Sequence, residues 1–190
     1  PQRLIAIGDI HGMHEKLEDL IDDVQAPAQN DFIWTLSGYD MVISKAREMI
    51  AAALSEIYVR LYPQEARHLV PGLVAAEKKG VAVKCIFMKP YADTFALQVI
   101  HPESDAIEAT MGGRSFDLVV DKAEFLGGIL EDSSDERVNI NWGRNRWSVI
   151  AGRDSLRHDF FHYFLDKVYE RGERLSTAER NLYRLIREDA

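Results

Sequence analysis

The hydrophobic and polar positions along the chain follow the periods of helices and strands in turn, which predicts an α/β protein. Short apolar runs rich in β-branched residues predict strands, and apolar residues spaced three or four apart predict helices. Residues 41–88 read helix, strand, helix, strand, and the two strands, EIYVRLY and VAVKCIFM, begin 25 residues apart. Helical connections of this kind join parallel neighbours. We therefore expect a parallel strand pair, with Pro71 kinking or breaking the second helix.

The remaining elements are predicted from shorter patterns. Beyond the parallel pair, the expected strands are RLIAI, FIWTLSGYD as an extended segment ending in a turn, ALQVIHP, SFDLVVDKAEFLGGIL as two strands joined by a tight turn, and VNINW with RWSVIAG as a further strand pair. The expected helices are MHEKLEDLIDDV, LRHDFFHYFLDKVYERG and TAERNLYRLIRE, with ESDAIEATMGG left open between helix and loop. Ser176 and Glu179 form a capping box at the start of the last helix.

The composition fits one globular domain, or one domain with an appendage. The chain has 190 residues, 46% of them hydrophobic, and a formal net charge of −8. An acidic surface argues against a broad nucleic-acid-binding face. The single cysteine, Cys85, lies in a predicted buried strand, so we expect a core thiol, no disulfide and a reducing compartment. Because the sequence has neither an apolar run of about 20 residues nor a signal peptide, we expect a cytoplasmic protein that contacts no membrane.

The segment IGDIHG places Asp9 and His11 two residues apart, flanked by glycines, at the end of a predicted strand. It resembles the opening motif of the metallophosphoesterases, in the serine/threonine phosphatase branch, and the likeness covers roughly residues 2–33. In that family the Asp and the His bind one ion of a two-metal centre, which lowers the pKa of a water and clamps the phosphate. The resemblance implies Mn, Fe or Zn at Asp9 and His11.

The later motifs of that family do not follow. A two-metal centre needs roughly seven to eight ligands, and where the family continues into GDxxDRG this chain reads TLSGYDMVIS. No GNHE occurs either, and the resemblance stops near Trp34. We therefore expect residues 1–33 to be an incomplete metallophosphatase-like βα leader without a cofactor. The alternative is a metal-dependent phosphoesterase of the serine/threonine type, with its other ligands elsewhere in the chain.

From Trp34 onward the chain is similar to the effector domain of TrmB-type, sugar-sensing transcriptional regulators. The likeness is spread over roughly residues 33–190: a helix ending in A..EIYV, a helix with L...L..A...GV.V, then SFDLVVDKAEFLGG, WGRNRWSVI and RHDFFHYFL in order. It implies that residues 34–190 bind a small molecule, by analogy a sugar, within a homodimer. In this family a winged helix binds DNA, and residues 1–33 are too short and too acidic to be one. We therefore do not expect this chain alone to bind operator DNA.

The effector domain of that family is related to the phospholipase D fold, which implies a mixed sheet flanked by helices. Phospholipase D enzymes carry HxKxxxxD, in which the His attacks phosphorus and the Lys stabilises the phosphate charge. With Asp121 as the Asp of the motif, the His position is Arg114 and the Lys position is Phe116. Neither side chain has the required chemistry. The resemblance therefore implies a catalytically inactive binding domain and not an enzyme.

The candidate ligand-binding residues are polar and aromatic side chains near predicted strand ends. Sugars are held by planar polar groups and by aromatic faces against their C–H surface. The segments SGYD and NINWGRNRW offer such groups, although alternation along a strand lets at most half of them share one pocket. The predicted ligand-binding residues are Ser37, Tyr39, Asn141, Trp142, Asn145 and Trp147. Packing and turn chemistry is the competing interpretation of the same residues.

Two other patterns suggest a metal. His158 and His162 stand four residues apart on a predicted helix, but the Glu of HExxH and a third ligand are missing from the sequence pattern, which favours a packed helix start. The acidic run EDSSDE is expected to be a solvated loop, with calcium binding left open. A structural or dimerisation module without a ligand is the third hypothesis for the domain.

Overall fold

A seven-stranded mixed sheet organises the part of the chain that the structure, a computed structural model, describes: residues 31–92, 94–131 and 138–189. The strands are β1 (Ile33–Ser37), β2 (Glu56–Leu61), β3 (Ala82–Phe87), β4 (Leu97–Ile100), β5 (Arg114–Val120), β6 (Glu124–Leu130) and β7 (Asn139–Gly143). Their order across the sheet is β1-β7-β6-β5-β2-β3-β4. β3 runs parallel to β2 and β4, and the other neighbouring pairs are antiparallel.

Helices cover both faces of this sheet. They are α1 (Tyr39–Ala52), α2 (Pro63–Lys78), α3 (Ser104–Met111), α4 (Arg146–Leu165) and α5 (Thr177–Glu188). A π-helical turn, Asp166–Glu170, continues α4.

The two faces of the sheet bury separate apolar cores. In β2 the side chains of Ile57, Val59 and Leu61 pack in the core that contains α1 and α2. Tyr58, between them, packs on the other face with the apolar residues of α4 and α5. Each face of the central strand is therefore covered, which explains its nearly continuous apolar sequence. The expected fold class, a mixed sheet flanked by helices, is confirmed.

Helix α4 lies close to the sheet because it carries a glycine at the contact. A Cβ atom at Gly152 would lie 2.5 Å from two ring carbons of Phe125 in β6. That separation is far below the optimal distance of about 3.5–4.0 Å between carbon atoms. The missing side chain thus lets α4 bring its polar residues down onto the strands.

Several predicted features of the sheet are confirmed. β2 and β3 are parallel neighbours, with Ile57 opposite Val83 and Val59 opposite Cys85. A tight turn joins β5 to β6, and its residues Asp121 and Lys122 have φ angles of 53° and 55°. The capping box of Ser176 and Glu179 begins α5. Strong local signals and long apolar patterns therefore predicted these elements correctly.

The prediction of a strand at RWSVIAG is wrong, because this segment is the first part of α4. The Asn145 side chain accepts the Ser148 N–H and starts the helix, and Val149, Leu156 and Phe160 are among its buried residues. The alternating pattern covers only a few residues, whereas the helical spacing continues along all 20 residues of α4. VNINW pairs with β1 and β6 instead.

Pro71 does not break α2, which runs from Pro63 to Lys78. A proline leaves the carbonyl four residues earlier without its helical N–H partner. Both Pro71 and Arg67 are exposed, so that carbonyl can bond to water. The segment ESDAIEATMGG, which the sequence left open, forms α3.

Some predictions fall outside the described residues. These are the strand and helix of residues 1–30, the metal ligands Asp9 and His11, and most of the acidic run, residues 132–137. They stay predictions.

Candidate functional site

Arg114, at the His position of HxKxxxxD, forms an ion pair within the fold. Its Nη2 lies 3.1 Å from Oε1 of Glu65, in the first turn of α2, and the Glu65 side chain is 1% exposed. Tyr39 donates its hydroxyl to the same oxygen over 3.3 Å. Burial and the charge of Glu65 raise the pKa of Tyr39 to about 12. Tyr39, one of the predicted ligand-binding residues, is therefore a neutral donor to a buried carboxylate.

The other two motif positions also serve the fold. Phe116, at the Lys position, is 1% exposed and packs in the core between the sheet and α1 and α2. Asp121 accepts the backbone N–H groups of Leu54, Ser55 and Glu56 at 2.8, 2.7 and 3.0 Å. Burial opposes ionisation of Asp121, but these hydrogen bonds outweigh it and lower its pKa. Asp121 thus fixes the chain between α1 and β2.

Ser37 and Asn141, two predicted ligand-binding residues, lie in a polar row on the edge strand β1 and its neighbour β7. Ser37 donates to Oδ1 of Asn139 over 2.8 Å, and Thr35 donates to Oδ1 of Asn141 over 3.3 Å. All four residues are exposed. The row therefore offers amide and hydroxyl groups to a ligand at the surface of the sheet.

Trp142 lies on the opposite face of β7, against the core of α1 and α2. Its Nε1 donates to Oε1 of Glu124 over 2.5 Å, and Nζ of Lys45 lies 3.9 Å from its ring centroid. The ring of Trp34 meets it edge-on, with 5.4 Å between centroids. A ligand on one face of the sheet therefore meets only part of the predicted set, as the alternation along β7 indicates.

Asn145 and Trp147 lie at the start of α4. Oδ1 of Asn145 accepts the Ser148 N–H over 3.2 Å, which makes Asn145 the N-cap. Trp147, in the first turn, is 75% exposed. The structure gives Asn145 a capping role, and ligand binding by either residue stays a prediction.

A cavity of about 610 Å³ opens where β3 and β4 end. Its lining residues are Met88, Lys89, Pro90, Ile100, His101, Pro102, Ser104, Asp105, Tyr163, Asp166 and Arg171. In open α/β sheets, ligands bind beyond the carboxyl ends of the strands, and small-molecule sites measure roughly 300–1,000 Å³. We call this site the carboxyl-end cavity. Its position and size suit a small organic ligand.

Charged side chains of both signs line the carboxyl-end cavity in pairs. Nε of Arg171 lies 2.8 Å from Oδ2 of Asp166, and Lys89 forms an ion pair with Asp105. Tyr163 adds an aromatic ring. The lining therefore combines balanced charge, planar hydrogen-bonding groups and one aromatic surface.

A buried ionic network runs from β5 to the wall of this cavity. Arg60 bridges two carboxylates, Asp117 and Asp159, at 2.7 Å each. Oδ1 of Asp159 lies 3.8 Å from Nε2 of His101, whose Nδ1 accepts the Glu103 N–H over 3.1 Å. Nε2 is buried and has no hydrogen-bond partner among the described residues. Burial lowers the pKa of His101, so the ring is neutral and carries its proton on Nε2.

Comparison with known families decides the affiliation of the chain. A family model described as transcriptional regulator TrmB, EBD N-terminal subdomain, matches residues 32–176. The chain belongs to the TrmB family. It is also 23% identical over 147 residues to the uncharacterized protein YrhO of Bacillus subtilis (strain 168), a match that covers 77% of this chain and 50% of YrhO. The chain therefore spans about half the length of this relative.

Three solved structures are similar to this TrmB-family chain. TrmBL2, described as an archaeal chromatin protein with a novel mode of DNA binding, is 17% identical, and the match covers 77% of this chain and 60% of TrmBL2 with a TM-score of 0.48. Nuc from Salmonella typhimurium, a phospholipase D family member, is 14% identical, with coverages of 69% and 96% and a TM-score of 0.44. NucT from Helicobacter pylori is 7% identical, with coverages of 69% and 98% and a TM-score of 0.48.

All residues that line the carboxyl-end cavity fall within the TrmB match. Sequence reasoning missed this cavity, although a signal was present: Lys89 and His101 come directly after two strands of the parallel set. Polar residues in that position meet at one edge of the sheet. Because the two segments are separated along the chain, the sequence alone did not indicate that these residues lie close together in the fold.

The pattern of His158 and His162 does not form a metal centre in the described ranges. In residues 31–92, 94–131 and 138–189, no group of three or more His, Cys, Asp and Glu side chains could hold an ion. His158 is exposed, and His162 lies 3.4 Å from a carboxylate oxygen of Glu103. Within the same residues, no helix combines the length and the apolar character needed to cross a membrane.

Proposed function

We propose that this chain is the ligand-sensing effector domain of a TrmB-type transcriptional regulator and binds a sugar in the carboxyl-end cavity. The observation that carries the proposal is the cavity itself, about 610 Å³ in volume and lined by paired charged side chains. A regulator needs a site that holds a small molecule, and this site has the position and size of one.

The chemistry of the lining favours a sugar over an apolar ligand. Asp105, Asp166 and Arg171 present planar groups that can each form two hydrogen bonds with neighbouring hydroxyls. The ring of Tyr163 offers a surface for the C–H side of a sugar ring. Because the charges are paired, a neutral polyol can bind beside them without adding or separating charge.

The proposed domain has no phosphodiesterase activity. The His position of HxKxxxxD holds Arg114, which is paired with Glu65, and the Lys position holds Phe116 in the apolar core. Arginine remains protonated in proteins and phenylalanine carries no charge, so neither can replace the nucleophile or the phosphate-binding lysine. These substitutions support binding without turnover.

The family affiliation supports a role for this domain in a transcriptional regulator. The predicted homodimer and DNA binding through a winged helix are proposed for that regulator as a whole. For a sugar to act as an inducer, it must bind two conformations of the regulator with different affinities. We infer that the carboxyl-end cavity is where this difference arises, because its walls come from separate elements, β3, β4 and the end of α4.

A thermal-shift screen of this chain against a panel of sugars tests the proposal. A sugar that binds is expected to stabilise the fold by about 2–3 kcal/mol when its concentration is about a hundredfold above Kd. The Arg171→Met variant should lose this stabilisation. Arg174→Met is the matched control, since Arg174 is also exposed and does not line the cavity. No stabilisation by any sugar, or equal loss in both variants, would refute the proposed site.

The same preparation tests the alternative enzyme function. Hydrolysis of bis-p-nitrophenyl phosphate and of p-nitrophenyl phosphate is measured with and without manganese. We expect no turnover by this chain. Turnover that requires manganese and disappears in Asp9→Asn would establish the phosphoesterase with a metal at Asp9 and His11.

A further inference from the structure

Three cationic side chains that do not line the carboxyl-end cavity surround the carboxylate of Asp189. Nζ of Lys84 lies 2.5 Å from Oδ2, whereas Nζ of Lys122 and Nη2 of Arg153 lie 2.8 and 2.6 Å from Oδ1. The hydroxyl of Tyr58 donates to Oδ2 over 2.7 Å. The four donors come from β2, β3, the β5–β6 turn and α4, so the folded sheet assembles them. We call these four residues the cationic cradle.

The cationic cradle is built into the protein interior and carries an excess of positive charge. Lys84 is 4% exposed on its side chain, and Tyr58 is fully buried. Besides Asp189, the acid in the cradle is Glu56, 2.5 Å from Lys84 and 3.8 Å from Lys122. Three cations therefore face two carboxylates, and without Asp189 they would face one.

Hydrogen-bonding capacity in the cradle is not filled by Asp189. Nε of Arg153 and Oε1 of Glu56 lie 4.0 Å apart, and both are buried without a hydrogen-bond partner among the described residues. Arg153 therefore binds the Asp189 carboxylate through Nη2, and its Nε–H makes no hydrogen bond among the described residues. A ligand with more acceptor oxygens than a carboxylate would satisfy this donor.

A path from solvent leads to the cradle. A cavity of about 480 Å³ lies beside it, lined by Ala82, Lys84, Asn181, Arg184, Leu185, Glu188 and Asp189. Lys84 of the cradle and Asp189, which the cradle surrounds, both line this cavity, and Arg184 adds a further cation along the path. The three cations of the cradle lie within the TrmB match, residues 32–176, whereas Asp189 lies beyond it.

We propose that the cationic cradle is a binding site for a phosphate group, and that Asp189 occupies it as an internal ligand. Phosphate presents more oxygens and more charge than a carboxylate and prefers such clusters of Lys, Arg and hydroxyl donors. A phosphate that enters displaces Asp189 and with it the end of α5. The site is separate from the sugar site proposed above and from the HxKxxxxD positions.

Isothermal titration with inorganic phosphate at constant ionic strength tests the proposal on the whole chain. The Asp189→Ala variant removes the internal ligand and should bind phosphate at least about tenfold more tightly than the unmodified chain, since three cations then face Glu56 as their one remaining carboxylate. Asp189→Asn, which keeps the shape of the side chain, is the second variant in case the first does not fold. Glu170→Ala is the matched control, because it removes the same charge from an exposed residue that lines neither the cavity beside the cradle nor the carboxyl-end cavity.

Two further measurements separate a specific site from general charge attraction. Adding Lys122→Met to Asp189→Ala should abolish the increase in phosphate affinity. Lys122 is chosen because it is the partly exposed member of the cradle, so its replacement does not disturb the protein interior. Glucose 6-phosphate tests for a phosphorylated metabolite: tighter binding than inorganic phosphate would identify the cavity beside the cradle as the site of its organic part. The proposal is overturned if Asp189→Ala and Asp189→Asn bind phosphate no better than Glu170→Ala, or if Lys122→Met leaves the gain intact.

Discussion

Arg114 and Glu65 form a buried ion pair, 3.1 Å between Nη2 and Oε1, at the position that the spacing of HxKxxxxD assigns to the His of that motif. Arg114 begins β5 and Glu65 lies in the first turn of α2, so the pair ties a helix to the antiparallel half of the sheet. The Tyr39 hydroxyl contributes a third contact from the start of α1. Contacts at Arg114 thus join three elements of this fold: β5, α2 and α1.

Removal of Arg114 should destabilise the protein strongly. Arg114→Met leaves the Glu65 carboxylate buried without its cation, which costs about 3–5 kcal/mol of unfolding free energy. The double variant Arg114→Met/Glu65→Gln should recover a large part of this loss, because no buried charge is left over. Urea unfolding measures all three proteins. Arg67→Met, an exposed arginine on α2, is the control, and an equal effect there would contradict a special role for the pair.

The elements that could be predicted from sequence are those with strong local or repeated signals. β2 and β3 are long apolar runs between helices with clear ends, and Ser176 with Glu179 forms a capping box that needs no tertiary contact. The strand predicted at RWSVIAG is wrong because a few alternating residues carry less information than the helical spacing of α4. The prediction divided this one helix into a strand and a shorter helix.

The candidate site was less predictable because it is made by tertiary contacts. Ser37 and Asn141 lie in one polar row only because β1 pairs with β7 across about 100 residues of chain, and the spacing of either segment carries no sign of this. The carboxyl-end cavity likewise joins Lys89 and His101 to Arg171 of a distant helical turn. The substitutions at Arg114 and Phe116, by contrast, were visible directly in the sequence, because that motif is defined by spacing alone.

Loss of Asp121 should loosen the junction between α1 and β2. Asp121→Ala leaves the N–H groups of Leu54, Ser55 and Glu56 without their acceptor, and we expect a loss of about 2–3 kcal/mol, since hydrogen bonds to a charged group contribute more than neutral ones. In Asp121→Ala these three amides should exchange their hydrogens faster than in the unmodified chain, whereas the amides of β7 should exchange at an unchanged rate. Lys122→Ala, the next residue in the same turn, is the comparison, and unchanged exchange in Asp121→Ala would contradict the assignment.

Replacement of Asn145 should affect stability and not sugar binding. Asn145→Ala removes the side-chain acceptor for the Ser148 N–H, and loss of such an N-cap costs about 1 kcal/mol. Trp147→Ala, two residues later and 75% exposed, should change stability by less than about 0.5 kcal/mol. Thermal denaturation with and without a sugar found in the screen measures both effects. A sugar-induced shift lost in Asn145→Ala alone would instead support the predicted contact with the ligand.

The attachment of α5 should weaken in acid because of Glu179. Its Oε1 accepts the Tyr163 hydroxyl at 2.7 Å and Nζ of Lys167 at 2.5 Å, and Oε2 accepts the Ser176 N–H at 2.7 Å. Burial opposes the charge, but these partners outweigh it and lower the pKa of Glu179 to about 2. A depressed pKa in the folded state stabilises the protein above the unfolded pKa, and this stability is lost as the pH falls toward 2.

The Glu179→Gln variant measures this contribution directly. The pKa shift from 4.5 to about 2 corresponds to about 3.4 kcal/mol, and solvent screening of this partly exposed group reduces it. At pH 7 the variant should therefore unfold with about 1–2 kcal/mol less free energy than the unmodified chain. Below pH 4.5 the gap should narrow, because the unmodified protein gradually loses the stabilising charge. Urea unfolding at a series of pH values between 7 and 3 measures this difference in unfolding free energy, and Glu188→Gln, at an exposed residue, is the control. A gap that stays constant down to pH 3 would mean that the carboxylate charge does not hold α5 in place.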